Sequence, residues 1–178
     1  MARAPVRKTS FLEAVAACIQ HEKEVFEFYL KQADALPGGP VKKLFYQLAE
    51  DVEEHINMIG GLYSQIQNGE ALPNLKMASE VQKFNSTSLQ ILMRRLDRNT
   101  SADATGNEIE AVALATREHE DAAEFFRKMK SKFEDRGIQV LFGQLANFQD
   151  ECRMLLESYA AYLTQGTPAS RPAAYWDS

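Results

Sequence analysis

Apolar residues recur at three- and four-residue steps through four long stretches of the chain, the period of an α-helix with one buried face. In the first stretch Leu12, Val15, Cys18, Ile19, Glu22, Phe26 and Tyr29 share a side, so the inward stripe carries a single carboxylate, Glu22. A helix is predicted from Ser10, where Ser10-Phe-Leu-Glu13 offers a reciprocal capping box, to just before Leu36-Pro-Gly-Gly-Pro40. The glycines there suit a left-handed C-terminal cap, and Pro40 suits the first turn of a second helix running to about Asn68. A third long helix is predicted from about Glu108 to Lys132, capped by Asn107 with Glu110. The fourth follows the turn Glu134-Asp-Arg-Gly137, from about Ile138 to Thr164.

The four stretches are related in pairs. Shifting residues 12–67 by 97 positions lays them without a gap on 109–164, matching Glu13 to Glu110, Val15 to Val112, Phe28 to Phe125, Leu44 to Leu141, Phe45 to Phe142 and Leu48 to Leu145. Two copies of one helical hairpin explain such a match. The connection 69–106 is too long for a turn, and its apolar patch Leu89-Gln-Ile-Leu-Met93 with Leu96 predicts a short helix near Ser88 to Arg98. A crossover back along the bundle makes the second and third long helices parallel. The expected architecture is therefore all-α: a four-helix bundle over residues 10–166, built of two repeated hairpins and joined by a long crossover containing a short helix. The tail 167–178 is expected to be extended or disordered, with Tyr175 and Trp176 able to dock on a neighbouring surface.

Composition narrows the functions. A chain of 178 residues with 45% hydrophobic content suffices for one domain, and a net charge of −5 with no basic run beyond Arg94-Arg95 argues against nucleic acid as a partner. The polar start Met1-Ala-Arg-Ala-Pro-Val-Arg-Lys is unlike a secretory signal, and no apolar stretch is of bilayer length. Two cysteines, Cys18 and Cys152, form no CxxC pair, so a reducing cytoplasm is the expected compartment. No glycine-rich phosphate loop, nucleophile elbow or triad spacing is present.

Bundles of this architecture build metal centres from one acid on each of two helices and a Glu-x-x-His on each of the other two. Here the first hairpin carries Glu22 in Glu-Lys-Glu-Val-Phe-Glu-Phe-Tyr29 and His55 in Leu48-Ala-Glu-Asp-Val-Glu-Glu-His55. In these motifs the chain resembles the rubrerythrin branch of the ferritin-like superfamily, over roughly residues 10–165. The resemblance implies a ferritin-like bundle, a di-iron centre, oxidoreductase or peroxidase chemistry and a homodimer, with Ile91 and Met93 as interface material. A rubredoxin-type module is absent. The motif carries over only in part: Val52 stands where a Glu is expected three residues before His55. His119 stands for the second acid, and Gln149 and Cys152 stand for the second Glu-x-x-His. The offset of 97 sets the same register, taking Glu22 to His119, Val52 to Gln149 and His55 to Cys152.

Charge then limits the cargo. Two ferrous ions need several compensating carboxylates in a poorly solvated interior, and one inward acid is too few. Glu22, His55, His119 and a Cys152 thiolate instead match one divalent transition metal, zinc or iron, with Asp51 and Gln149 as further members. Asp51 lies about 40° from the His55 direction on a helical wheel, whereas Glu118 lies about 100° from His119. Three readings stand: a single-ion site, a di-iron oxidoreductase, and a metal-free polar cluster serving as a scaffold or partner-binding module. In the last, His55 and His119 pair with Glu22 and Gln149. Phe26, Phe28, Phe125, Phe126 and Cys18 read as packing residues, and Tyr29 as a hydrogen-bond donor to a buried carboxylate.

Overall fold

The computed structural model describes residues 8–69, 75–99 and 104–165. Five helices fill them: α1 (Lys8–Ala35), α2 (Pro40–Gln67), α3 (Leu75–Asp97), α4 (Gly106–Ser131) and α5 (Arg136–Thr164). α1 packs on α2 and α4 on α5 as two hairpins, α1 faces α4, and α3 lies against α5 and α2. The tail 167–178, with Tyr175 and Trp176, falls outside the described residues. Among those described, no helix is long and apolar enough to cross a membrane.

Two apolar clusters divide the core lengthwise. One gathers Val25, Tyr29, Val41, Leu44, Ala111, Val112, Tyr159 and Leu163; the other gathers Phe11, Val15, Ile59, Ile66, Ala122, Phe126, Ile138 and Leu141. The start of α2 thus shares a cluster with the start of α4, and their ends share the other, so α2 and α4 are parallel as the crossover requires. Between the clusters every long helix contributes a polar side chain: Glu22, His55, His119 and Gln149, all buried. The bundle therefore has a polar waist between two hydrophobic ends.

The crossover departs most from expectation. α3 is a full helix of 23 residues, roughly 34 Å at 1.5 Å rise per residue, not a short segment from Ser88. Met77, Val81, Asn85, Leu92 and Leu96 are its buried stripe, whereas Ser79, Ser86 and Thr87, among the polar residues that suggested a loop, are exposed. The His55 ring lies 5.9 Å from Phe84, while Asp51 bonds Arg95, so α3 runs antiparallel to α2. Gln144 reaches Ala78, and Tyr159 donates to the Asn99 carbonyl, so α3 runs parallel to α5.

Helix ends also differ. α1 is already helical at Lys8, which places Ser10 inside the helix and removes it as a cap. α4 starts before Asn107: the Thr105 hydroxyl accepts from the Glu108 amide at 3.2 Å, and the Thr105 amide donates to Glu108 Oε1 at 2.8 Å. The expected duplication of the capping device is not observed. Gly39 has φ 155° and ψ −172°, a region open essentially to glycine, but it serves as the N-cap of α2 ahead of Pro40 and not as a left-handed end to α1. On α1 the buried line runs through Phe11, Val15, Cys18, Glu22, Val25 and Tyr29, leaving Leu12, Ile19 and Phe26 half-buried beside it. Because the Thr105 box satisfies two backbone donors at the start of α4, Thr105→Ala should lower unfolding free energy by about 1 kcal/mol in urea titrations, with Thr105→Ser close to wild type. Equal midpoints for Ala and wild type would show that the cap is idle.

Candidate metal centre

The six positions carried over from the sequence motif, Glu22, Val52, His55, His119, Gln149 and Cys152, line one cavity of about 40 Å³. Asp51, Tyr29 and Phe148 line it too. Each helix delivers its residue because the apolar stripe on either side is buried, which forces the intervening position on the same face inward. The volume corresponds to a few small bodies, given the roughly 10–15 Å³ that one water needs.

Hydrogen bonds run through the waist in one direction. Gln149 Nε2 donates to Glu22 Oε1 at 2.7 Å, an orientation imposed because a carboxylate only accepts. Gln149 Oε1 must therefore accept from His119 Nδ1, 2.6 Å away. With Nδ1 carrying the proton on a neutral ring, His119 Nε2 accepts from the Tyr29 hydroxyl at 2.6 Å. Burial holds the His119 pKa below its ordinary value, which keeps the ring neutral and preserves this tautomer. Tyr29 thus donates to an imidazole and not to the carboxylate expected from the sequence. Burial pushes its hydroxyl pKa well up, with the nearby Cys152, Glu118, Glu22 and Asp51 adding to the effect.

His55 is different. Its Nδ1 lies 3.3 Å from Glu22 Oε2 without the alignment of a hydrogen bond, and neither ring nitrogen is hydrogen-bonded among the described residues. Its ring stacks on Phe148, with centroids 4.8 Å apart and planes 24° from parallel. Cys152 is buried beside the same cavity; burial, and then the Glu22 charge, push its thiol pKa well above the ordinary value. Asp51 lines the cavity, yet both its oxygens accept from Arg95, at 2.7 and 2.8 Å. Burial raises the Asp51 carboxyl pKa even though Arg95 pulls it down, so desolvation outweighs the pairing there. Arg95 is a functional neighbour that pattern reading missed; a lone cation on the apolar side of the crossover was the available signal. Glu118 is not part of the cavity lining; burial, and then the Asp121 charge, raise its carboxyl pKa.

A two-iron centre does not fit these residues. Val52 offers methyl groups, Gln149 an amide, and His119 has both nitrogens committed to protein partners. The Asp51 carboxylate is held by Arg95, which leaves Glu22 as the acid of the waist. Among the described residues, no three His, Cys, Asp or Glu side chains are grouped to hold a metal ion as they stand.

The fold and waist define the class: a helical bundle with a polar centre where its hairpins meet, as in ferritin-like proteins. The family model of the rubrerythrins, a ferritin-like family whose members usually bind iron, matches residues 13–151, and the chain belongs to that family. Comparison with curated proteins and with solved structures gives no match.

Proposed function

We propose that this chain is a rubrerythrin-family bundle whose two-iron centre has become a site for one divalent transition ion, zinc or iron. Glu22, His55 and Cys152 would hold it, with His119 joining when Tyr29 releases its ring. The supporting observation is His55, a buried imidazole with neither nitrogen hydrogen-bonded, its Nδ1 3.3 Å from Glu22 Oε2, in a cavity shared with Glu22 and Cys152. Such a group costs about 1–3 kcal/mol in lost solvation, which coordination would recover. A carboxylate and a thiolate would together balance the two positive charges of one ion, and mixed N, O and S donors favour zinc. The ion must displace the Cys152 proton, since burial otherwise keeps the thiol protonated. Asp51 and Gln149 then act as supports: Asp51 ties α2 to α3 through Arg95, and Gln149 orients Glu22 and His119.

A metal-free scaffold is the second reading. It draws on the continuous chain Tyr29, His119, Gln149, Glu22, in which every donor meets an acceptor without an ion. Elemental analysis of protein equilibrated with zinc or iron(II) and then desalted separates the readings. One ion per chain, lost in both His55→Ala and Cys152→Ala, is expected. No bound ion would leave the scaffold reading, and two would restore the di-iron oxidoreductase.

A further inference from the structure

The side chains of the centre are buried, and the cavity they share is only partly enclosed. A second cavity, of about 320 Å³, lies between α3 and α5, lined by Asn85, Ser86, Gln144, Asn147, Glu151 and Phe148. Phe148 borders both cavities. On α3 the boundary passes between neighbours, since Leu89 faces the outer cavity and Ser88 the centre; on α5, Glu151 faces the outer cavity and Cys152 the centre. The two spaces therefore adjoin along both helices, with the Phe148 ring between them. That ring is held by stacking on His55. Its rotation breaks no hydrogen bond.

The lining has a definite polarity. Asn85 Nδ2 donates to the Gln144 backbone carbonyl at 3.4 Å, and Gln144 Nε2 donates to the Ala78 carbonyl at 3.0 Å. A carbonyl only accepts, so both amide orientations are determined, and the atoms left over are oxygens. Those oxygens, Asn85 Oδ1 and Gln144 Oε1, are buried and lack partners among the described residues. Asn85 is only 8% exposed. With the Glu151 carboxylate in the same lining and no cationic side chain there, the cavity presents one exposed acceptor at Glu151 and two buried ones behind it.

We propose that this groove is the vestibule of the centre: a divalent cation enters beside Glu151, exchanges bound water for the buried oxygens of Asn85 and Gln144, and passes a rotating Phe148 ring to reach Glu22, His55 and Cys152. The cation's destination rests on the single-ion reading, whereas the route does not. An acceptor-lined mouth attracts cations, admits small neutral molecules and repels anions.

Two rates test this on the full chain carrying Cys18→Ala, which leaves Cys152 as its one thiol. The first is modification of Cys152 by neutral methyl methanethiosulfonate, followed by mass; the second is cobalt(II) uptake, followed by absorbance. Phe148→Ala should raise both rates by about tenfold or more, and Asn147→Trp, an exposed groove position, should lower both similarly, because access limits buried thiols. Glu120→Trp, exposed on α4 away from the groove, should change neither. Glu151→Lys should slow cobalt about tenfold without slowing the neutral reagent, since removing the Glu151 charge lowers the Cys152 thiol pKa. Thiol rates equal in wild type, Asn147→Trp and Ser86→Trp overturn the route even if Phe148→Ala fails to fold. Equal slowing of both probes by Glu151→Lys overturns the cation preference. Absence of bound cobalt at equilibrium, with thiol rates still ranked as above, defeats the single-ion reading and leaves the route standing.

Discussion

Replacing Gln149 with leucine should lower the unfolding free energy by about 2–6 kcal/mol, because each of the two buried polar groups it leaves unbonded costs roughly 1–3 kcal/mol. Gln149 is 2% exposed and bridges α4 and α1 across the waist, accepting from His119 and donating to Glu22, beside the direct bond from Tyr29 to His119. Leucine keeps the bulk and removes both bonds, which strands the His119 Nδ1 proton and the Glu22 carboxylate where water does not reach. For a chain of this size such a loss lowers the melting temperature by roughly 2–4 °C per kcal/mol. Urea titration with an unchanged m-value is the measurement, with Met154→Ala, at an exposed position on α5, as the neutral control. A loss under about 1 kcal/mol would mean that the chain of bonds is not the organising feature of the waist.

Restoring the missing ligands should reverse the cargo limit. The combined variant Val52→Glu, His119→Glu, Gln149→Glu and Cys152→His would supply four carboxylates and two imidazoles, the complement that bundle di-iron sites use. Without metal, those carboxylates repel one another in a cavity of about 40 Å³, so the apo variant should melt well below wild type. Iron(II) at about a thousand times its dissociation constant should return roughly 4 kcal/mol, because only the folded state binds it. Stoichiometry should rise from one iron per chain in wild type to two in the variant. Two irons in wild type, or a variant stable without metal, would show that charge is not what separates this chain from its relatives.

Much of this was legible beforehand. The four long helices were visible because each buries one face, and a face repeats every three or four residues whatever it packs against. The offset of 97 likewise aligned Glu22 with His119, Val52 with Gln149 and His55 with Cys152, and all six meet at one cavity. Where sequence reading failed, the deciding contacts were either local and ambiguous or distant. Thr105 and Asn107 are both competent caps, and only the geometry with Glu108 selects Thr105. The first half of α3 looked like a loop because its polar residues outnumber a sparse buried line of Met77, Val81 and Asn85. Asp51 lay at a plausible angle for a ligand, but Arg95, 44 residues on, takes both its oxygens.

By itself, then, the amino-acid order determined that four long helices each bury one face, and that Glu22 is the one acid among the six motif positions. Those properties follow from helical period and from counting charges, which need no coordinates. Only the tertiary structure decided which lone pairs are already spent. His119 is held by Tyr29 and Gln149, Gln149 by Glu22 across 127 residues of chain, and of the waist's two imidazoles it is His55 whose nitrogens make no hydrogen bond among the described residues. Hydrogen bonding turns on tenths of an ångström and on the direction of each donor, and the packing of four separate helices sets both.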